Sequence, residues 1–348
     1  MKTKLMIMML AMLTLTACNN DDEPNSRPDV SLENIYLAVS STEEGIGDRV
    51  ITAKGDIVYQ CDSLTWIRRF LADGRDWYAI AYKFNGGYHV IKNGNIIYSS
   101  HEEEIVNLCV DDGNIYTLQK PYYEPVRQEW LCKNFTHIYT LPYEQFESSQ
   151  MVVHHGDVTL APLRSSEACY WRNGELVAMQ GLEGSLLSCY IDTDGDDVLI
   201  GINADKNDRT GYWRNGTYNK LDSTIIYQVK LFGGKSYILG NRYTTDVPNP
   251  YYGGAIRITA DAIIIVDGQE QVLRTGDRRN FATSMIQYNN DNYILVKEYL
   301  TEEYLTGGGR FQTETTERKS FIYKNMKPMK LGDDITKLDI IDFAIIDK

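Results

Sequence analysis

Tyr170-Trp171-Arg172-Asn173-Gly174 and Tyr212-Trp213-Arg214-Asn215-Gly216 are one five-residue phrase written twice. Each places an aromatic strand before an Asn-Gly pair and a second short strand after it. Asn and Gly tolerate the positive φ angles of a two-residue hairpin turn, so each phrase predicts two antiparallel strands joined tightly. Working outward, related pairs stand at Lys54-Gly55, Asn93-Gly94 and Asp267-Gly268, with weaker copies at Asn134-Phe135 and Asn325-Met326. The second members of these seven pairs are separated by 39, 41, 39, 42, 52 and 58 residues.

A second turn precedes each of the later pairs: Asp111-Asp112-Gly113, His155-Gly156-Asp157, Asp194-Gly195-Asp196, Gly233-Gly234 and Asn290-Asp291. The repeating unit is therefore strand, tight turn, strand, variable loop, strand, tight turn, strand. Four antiparallel strands recurring near 40 residues are what a β-propeller blade requires. One blade cannot bury both faces, so neighbours must pack on it and the ring must close. The first unit lacks an opening strand, beginning at Asn34-Ile35-Tyr36-Leu37-Ala38, while Leu338 to Ile346 supply a surplus one. Pairing these ends completes the first blade and hides two open edges. The expectation is all-β, with seven four-stranded blades over residues 31–348. A pair of β-sandwiches or an open β-solenoid is the competing arrangement.

Composition agrees. Tyr occurs 25 times among frequent Val, Ile and Thr, and short alternating apolar runs replace any helical period. Without the N-terminal Lys2 and Lys4, 33 basic side chains face 48 acidic ones, a formal charge of −15. Such a surface repels nucleic acid and anionic headgroups. Five cysteines beyond Cys18 (Cys61, Cys109, Cys132, Cys169 and Cys189) form no CxxC and are odd in number. They read as small buried residues in strands, not as a disulfide framework or a zinc site.

The start of the chain predicts a compartment. Lys2 and Lys4 precede an apolar run from Leu5 to Ala17, about 20 Å as a helix and short of the roughly 30 Å of a bilayer's core. That is the form of a secretory signal over residues 1–17. Leu15-Thr16-Ala17-Cys18 resembles the lipobox of bacterial lipoproteins, which implies lipid on Cys18 and a membrane anchor. An ordinary signal peptide with a chance cysteine is the alternative. Residues 18–30 carry Asn19-Asn20-Asp21-Asp22-Glu23-Pro24 and predict a flexible tether, polar and Pro-containing. With the Tyr-Trp-Arg-Asn-Gly phrases, these features resemble β-propeller surface lipoproteins of Bacteroidetes. The likeness implies an outer-membrane, cell-surface location and a fold, and no activity. A periplasm-facing position is the alternative.

Alternating turns put both tight turns of a blade on one face of the ring and the variable loops on the other, where function is expected. Candidate ligand residues on those loops are Tyr122 and Tyr123, then Arg242, Tyr243, Tyr251 and Tyr252, and on the longest loop Tyr304, Arg310 and Phe311. Tyrosine rings beside Arg and Asn suit carbohydrate or protein contacts. These rings can equally pin their own loops. Asp192, Asp194 and Asp196 have the look of a calcium loop, but Asn203 stands where its twelfth-position Glu would be, and the segment coincides with a turn common to every blade. No metal or other cofactor is expected. His154-His155 reads as a solvated turn. No nucleophile elbow, phosphate loop or paired-carboxylate motif stands out. The expectation is a non-catalytic module binding a glycan or partner protein. A polysaccharide hydrolase or lyase, and a structural subunit of an outer-membrane assembly, are the alternatives.

Overall fold

The computed structural model describes residues 30–41, 45–121, 128–141, 146–203, 210–248, 255–276, 278–305 and 311–347. Leu32–Lys348 form one compact unit. Among the described residues its strands pair into antiparallel groups of four, one with the short Leu186–Leu187 as a fifth, and an eight-stranded sheet divides at the parallel pair Ala260–Arg279 into two more such groups. Counted this way there are seven blades. Their inner strands are Ile340–Ile345, Thr65–Asp73, Glu103–Asp111, Phe146–His154, Cys189–Asp194, Thr224–Phe232 and Arg279–Tyr288, blades one to seven in turn. Each packs on the next, and Arg279–Tyr288 packs on Ile340–Ile345, so the ring closes.

The closing blade is built from both ends. Ile340–Ile345 lies antiparallel to Ile35–Val39, with Leu37 opposite Phe343 and Tyr36 opposite Ala344. Ile346 N–H donates to Asn34 O at 2.9 Å, and Ser40 N–H to Asp339 O at 3.0 Å.

The repeated phrase now has a reason at each position. Trp171 is buried with Leu118 and Leu131 of blade three, while its neighbour Tyr170 faces Ile191 and Ile200 of blade five. Trp213 and Tyr212 split in the same way between blades four and six. A blade is covered on both faces, so adjacent aromatics are both core and simple alternation is lost. Arg172 reaches Asp157 at 3.2 Å and the Gly195 carbonyl of the next blade at 3.3 Å. Arg214 does the same with Asp197 and, at 2.8 Å, with Gly234 O. Asn173, at φ 49°, accepts the Val158 N–H through Oδ1 at 2.8 Å and donates through Nδ2 to Asp157 at 3.0 Å. Asn93, Asn134, Asn215 and Asn325 make the equivalent pair of bonds in their blades.

The weaker copies take the same turn: Phe135 and Met326 hold φ 63° and 66°. Phe135 stacks on Tyr98 of blade two at 4.4 Å, which offsets the cost of a left-handed backbone at a bulky residue. Cys132, Cys169 and Cys189 are buried in strands, and all five described cysteines are free thiols. Burial raises the Cys61 thiol to about 12 and that of Cys132 to about 11.

The segments expected as the long loops of blades six and seven are largely strand. Lys235–Pro248 pairs with Ala255–Val266, and Asp291–Leu305 with Phe311–Lys324, so each blade extends into a two-stranded ribbon. Their polar, Thr-rich composition resembles a loop, yet Thr and Tyr suit extended backbone.

Candidate functional site

All seven inner strands line one axial channel of about 360 Å³. Its polar lining comes from a device repeated around the ring. The register slips by one residue between Ile67 and Arg69, Ile105 and Asn107, Ser148 and Gln150, Ile226 and Gln228, and Ala282 and Ser284, and Ile341 is skipped between Ile340 and Asp342. A bulge turns the following side chain. Arg69, Gln150, Gln228, Ser284 and Asp342 thereby line the channel, and Asp192 joins them from the strand without a slip.

These side chains strap each blade to its neighbour. Arg69 Nε donates to Leu108 O at 3.2 Å, and Cys109 Sγ to Met151 O at 3.0 Å. Gln150 Oε1 accepts from Ile191 N–H at 3.3 Å, and Asp192 Oδ2 from Leu231 N–H at 2.8 Å. Gln228 Oε1 accepts from Met285 N–H at 2.6 Å. Ser284 hydrogen-bonds Asp342, whose carboxyl is also attracted by Arg69 and Lys297. Burial pushes the carboxyls of Asp192 and Asp342 above the ordinary range; Lys230 and the Leu231 N–H oppose it at Asp192, Ser284 and the Phe343 N–H at Asp342. Asp192 fastens its blade to the Leu231 N–H of the next, whereas Asp342 accepts the Phe343 N–H of its own strand and reaches the neighbouring blade through Ser284.

One residue toward the loop side, the same strands carry Arg68, Val106, Tyr227, Thr283 and Ile341, and Tyr190 stands two before Asp192. Aromatics gather on blades six and seven toward the loop-side start of their inner strands. Tyr227 meets Phe281 edge-on at 5.8 Å, Phe281 lies 5.3 Å from Tyr299, and Tyr190, Tyr243 and Arg279 are close enough to influence the Tyr227 phenol. Burial raises that phenol, and raises Tyr299 to about 12 with Asp339 adding to it, so both remain hydrogen-bond donors at neutral pH. Such a wall carries ring faces, with the Tyr299 hydroxyl bonded to Asp339 and the Arg279 guanidinium near the Tyr227 phenol.

Of the residues picked from sequence, Tyr243 is exposed where its strand leaves blade six, and Arg242 is half-buried and paired with Glu270 at 2.5 Å. Tyr304 and Phe311 fall on the blade-seven ribbon, opposite Gln312 and Leu305, and their side chains lie outside what is described. Tyr122, Tyr123, Tyr251, Tyr252, Arg310 and Cys18 lie outside the described residues. The three aspartates do not converge. Asp192 points into the channel, Asp194 is exposed, and Asp196 sits 3.6 Å from Arg172. Among the described residues no three His, Cys, Asp or Glu side chains gather as a metal-ligand set. His155 is solvated in its turn, while His154 lines the tight-turn end of the channel. Sequence reasoning passed over Arg69, Gln150, Gln228, Ser284, Asp342, Tyr227 and Phe281. Their one signal was a polar residue set mid-strand beside a break in alternation.

No known protein-family model matches the chain, and neither does any curated protein. Among solved structures, the chain is similar to the dihydro-heme d1 dehydrogenase NirN in complex with DHE, at 11% identity and TM-score 0.43, over 88% of this chain and 75% of that one. It is also similar to Kluyveromyces lactis Hsv2, at 11% and 0.41, over 82% and 96%, and to the Bombyx mori GH32 beta-fructofuranosidase BmSUC1, at 9% and 0.34, over 84% and 85%. Likeness at this level carries no activity across, and the propeller assignment stands on the strand pairing and ring closure described above.

Proposed function

We propose that the chain is a non-catalytic binding module that captures a glycan at the loop-side mouth of its channel, held to the outer membrane by lipid on Cys18. The observation that carries this reading is the aromatic wall formed by Tyr227, Phe281 and Tyr299, with Tyr243 and Arg279 beside it. Sugar rings pack on aromatic faces while their hydroxyls bond to phenols and guanidinium.

The full-length chain in detergent, applied to a broad glycan array beside a Tyr227→Ala/Tyr243→Ala variant, tests the reading. Capture by the parent and its loss in the variant are expected. Failure of the parent to retain any glycan would end this reading and favour a protein partner. Anchoring is tested separately: Cys18→Ala is expected to leave the membrane fraction, and continued retention there would refute lipidation.

A further inference from the structure

We infer that blade two carries a second subsite, in which Trp66 supplies a stacking platform and Arg68 an anion contact for an acidic sugar residue. This rests on the capture reading above and specifies its ligand class. Trp66 and Arg68 are two apart on the inner strand and both point outward, while Thr65 and Ile67 between and beside them are buried. Trp66 stands opposite Tyr82, which stands opposite Tyr88, so three rings form a row across three strands. Trp66 stacks on Tyr82 at 6.0 Å with an interplanar angle of 18°, and Tyr82 lies 5.0 Å from the buried Tyr88. The indole is thus fixed from beneath and remains 37% exposed.

Its surroundings are unusual for an exposed surface. Leu64 and Phe84 are 53% and 54% exposed and are joined by the Phe84 N–H to Leu64 O at 3.0 Å, two residues along their strands from the paired Trp66 and Tyr82. An apolar cluster around a rigid indole marks a contact surface more often than a solvated one.

The charge identifies what it contacts. The Arg68 guanidinium sits 5.8 Å from the Tyr82 ring centre and attracts the buried Asp48 carboxyl, without a direct ion pair among the described residues. An exposed guanidinium with no ion pair among the described residues, next to an aromatic platform, is a local exception on an acidic chain and complements a ligand that brings both a ring face and an anion. A sugar carrying a carboxylate or sulfate has both on one residue.

The full-length chain in detergent would be titrated with galacturonate hexamers, the same hexamers methyl-esterified, sulfated and sialylated oligosaccharides, and poly-glutamate, read by calorimetry and indole fluorescence. At least one acidic glycan should bind, with roughly tenfold loss in Trp66→Ala and partial retention in Trp66→Phe. Arg68→Gln should weaken the acidic glycan by a similar factor and leave the esterified hexamer unchanged, an outcome that misfolding could not produce. Binding insensitive to both substitutions but lost in Tyr227→Ala/Tyr243→Ala would overturn this subsite and leave glycan capture at the mouth standing. Absence of any glycan binding would overturn both, and poly-glutamate binding as tightly as the glycans would replace the sugar with an acidic protein.

Discussion

At the scale of single residues, the turn asparagines do more than permit a backbone angle. Asn173 accepts the Val158 N–H and donates to Asp157 while holding φ at 49°. Replacing it with Ala removes both bonds and leaves a β-carbon in a left-handed position, a cost of about 2 kcal/mol. Urea unfolding should show that loss, and Asn173→Gly should recover the part due to conformation alone. Asp192 makes a prediction in pH. Its folded pKa is raised above the unfolded value by burial, so its contribution to stability is full below about pH 4 and is lost as pH rises through the folded value. The melting temperature of Asp192→Asn relative to the parent should therefore climb between pH 4 and pH 7; a flat difference would mean that burial does not govern this carboxyl. The Asn-Gly turns were legible because a positive φ restricts residue choice so sharply. The role of Asp192 was not, because its partner Leu231 lies 39 residues away on another blade, and its neighbours in sequence suggested a calcium loop instead.

At the scale of elements, the inner strand is where pattern and structure part. Gln228 follows a bulge, and its amide oxygen accepts the Met285 N–H of the next blade at 2.6 Å. Gln228→Leu strands that N–H and should cost about 1–3 kcal/mol by chemical denaturation, whereas Gln228→Glu, which keeps the acceptor, should cost less. Stability unchanged in the leucine variant would show that the strap carries no load. Outer strands and tight turns were readable, since turn chemistry is local and apolar runs between turns are short. The bulges were not, because one extra residue in a strand leaves no compositional trace beyond a broken alternation. For the same reason the ribbons of blades six and seven passed for loops: their strand character comes from the pairing of two chain segments, which composition does not record.

At the scale of the whole molecule, closure joins all these parts. Ile340–Ile345 is both the inner strand of blade one and a wall of the channel, with Asp342 tied to Ser284 of blade seven. Deleting residues 336–348 should therefore abolish the cooperative unfolding transition of the entire unit, and a truncated chain with an unchanged melting temperature would contradict the closed ring. The ring itself was legible in the spacing of turns and the unmatched strands at the two ends. The channel and its mouth were not, because they draw single residues from seven separate strands. The same closure imposes an order in time. The first strands of blade one are synthesised early and must wait, with an open inner edge, for the last strand of the chain to arrive. Until then every partial product exposes an unpaired strand, so the molecule should be most open to proteases and to association with its own copies during the interval between synthesis of residue 39 and delivery of residue 340.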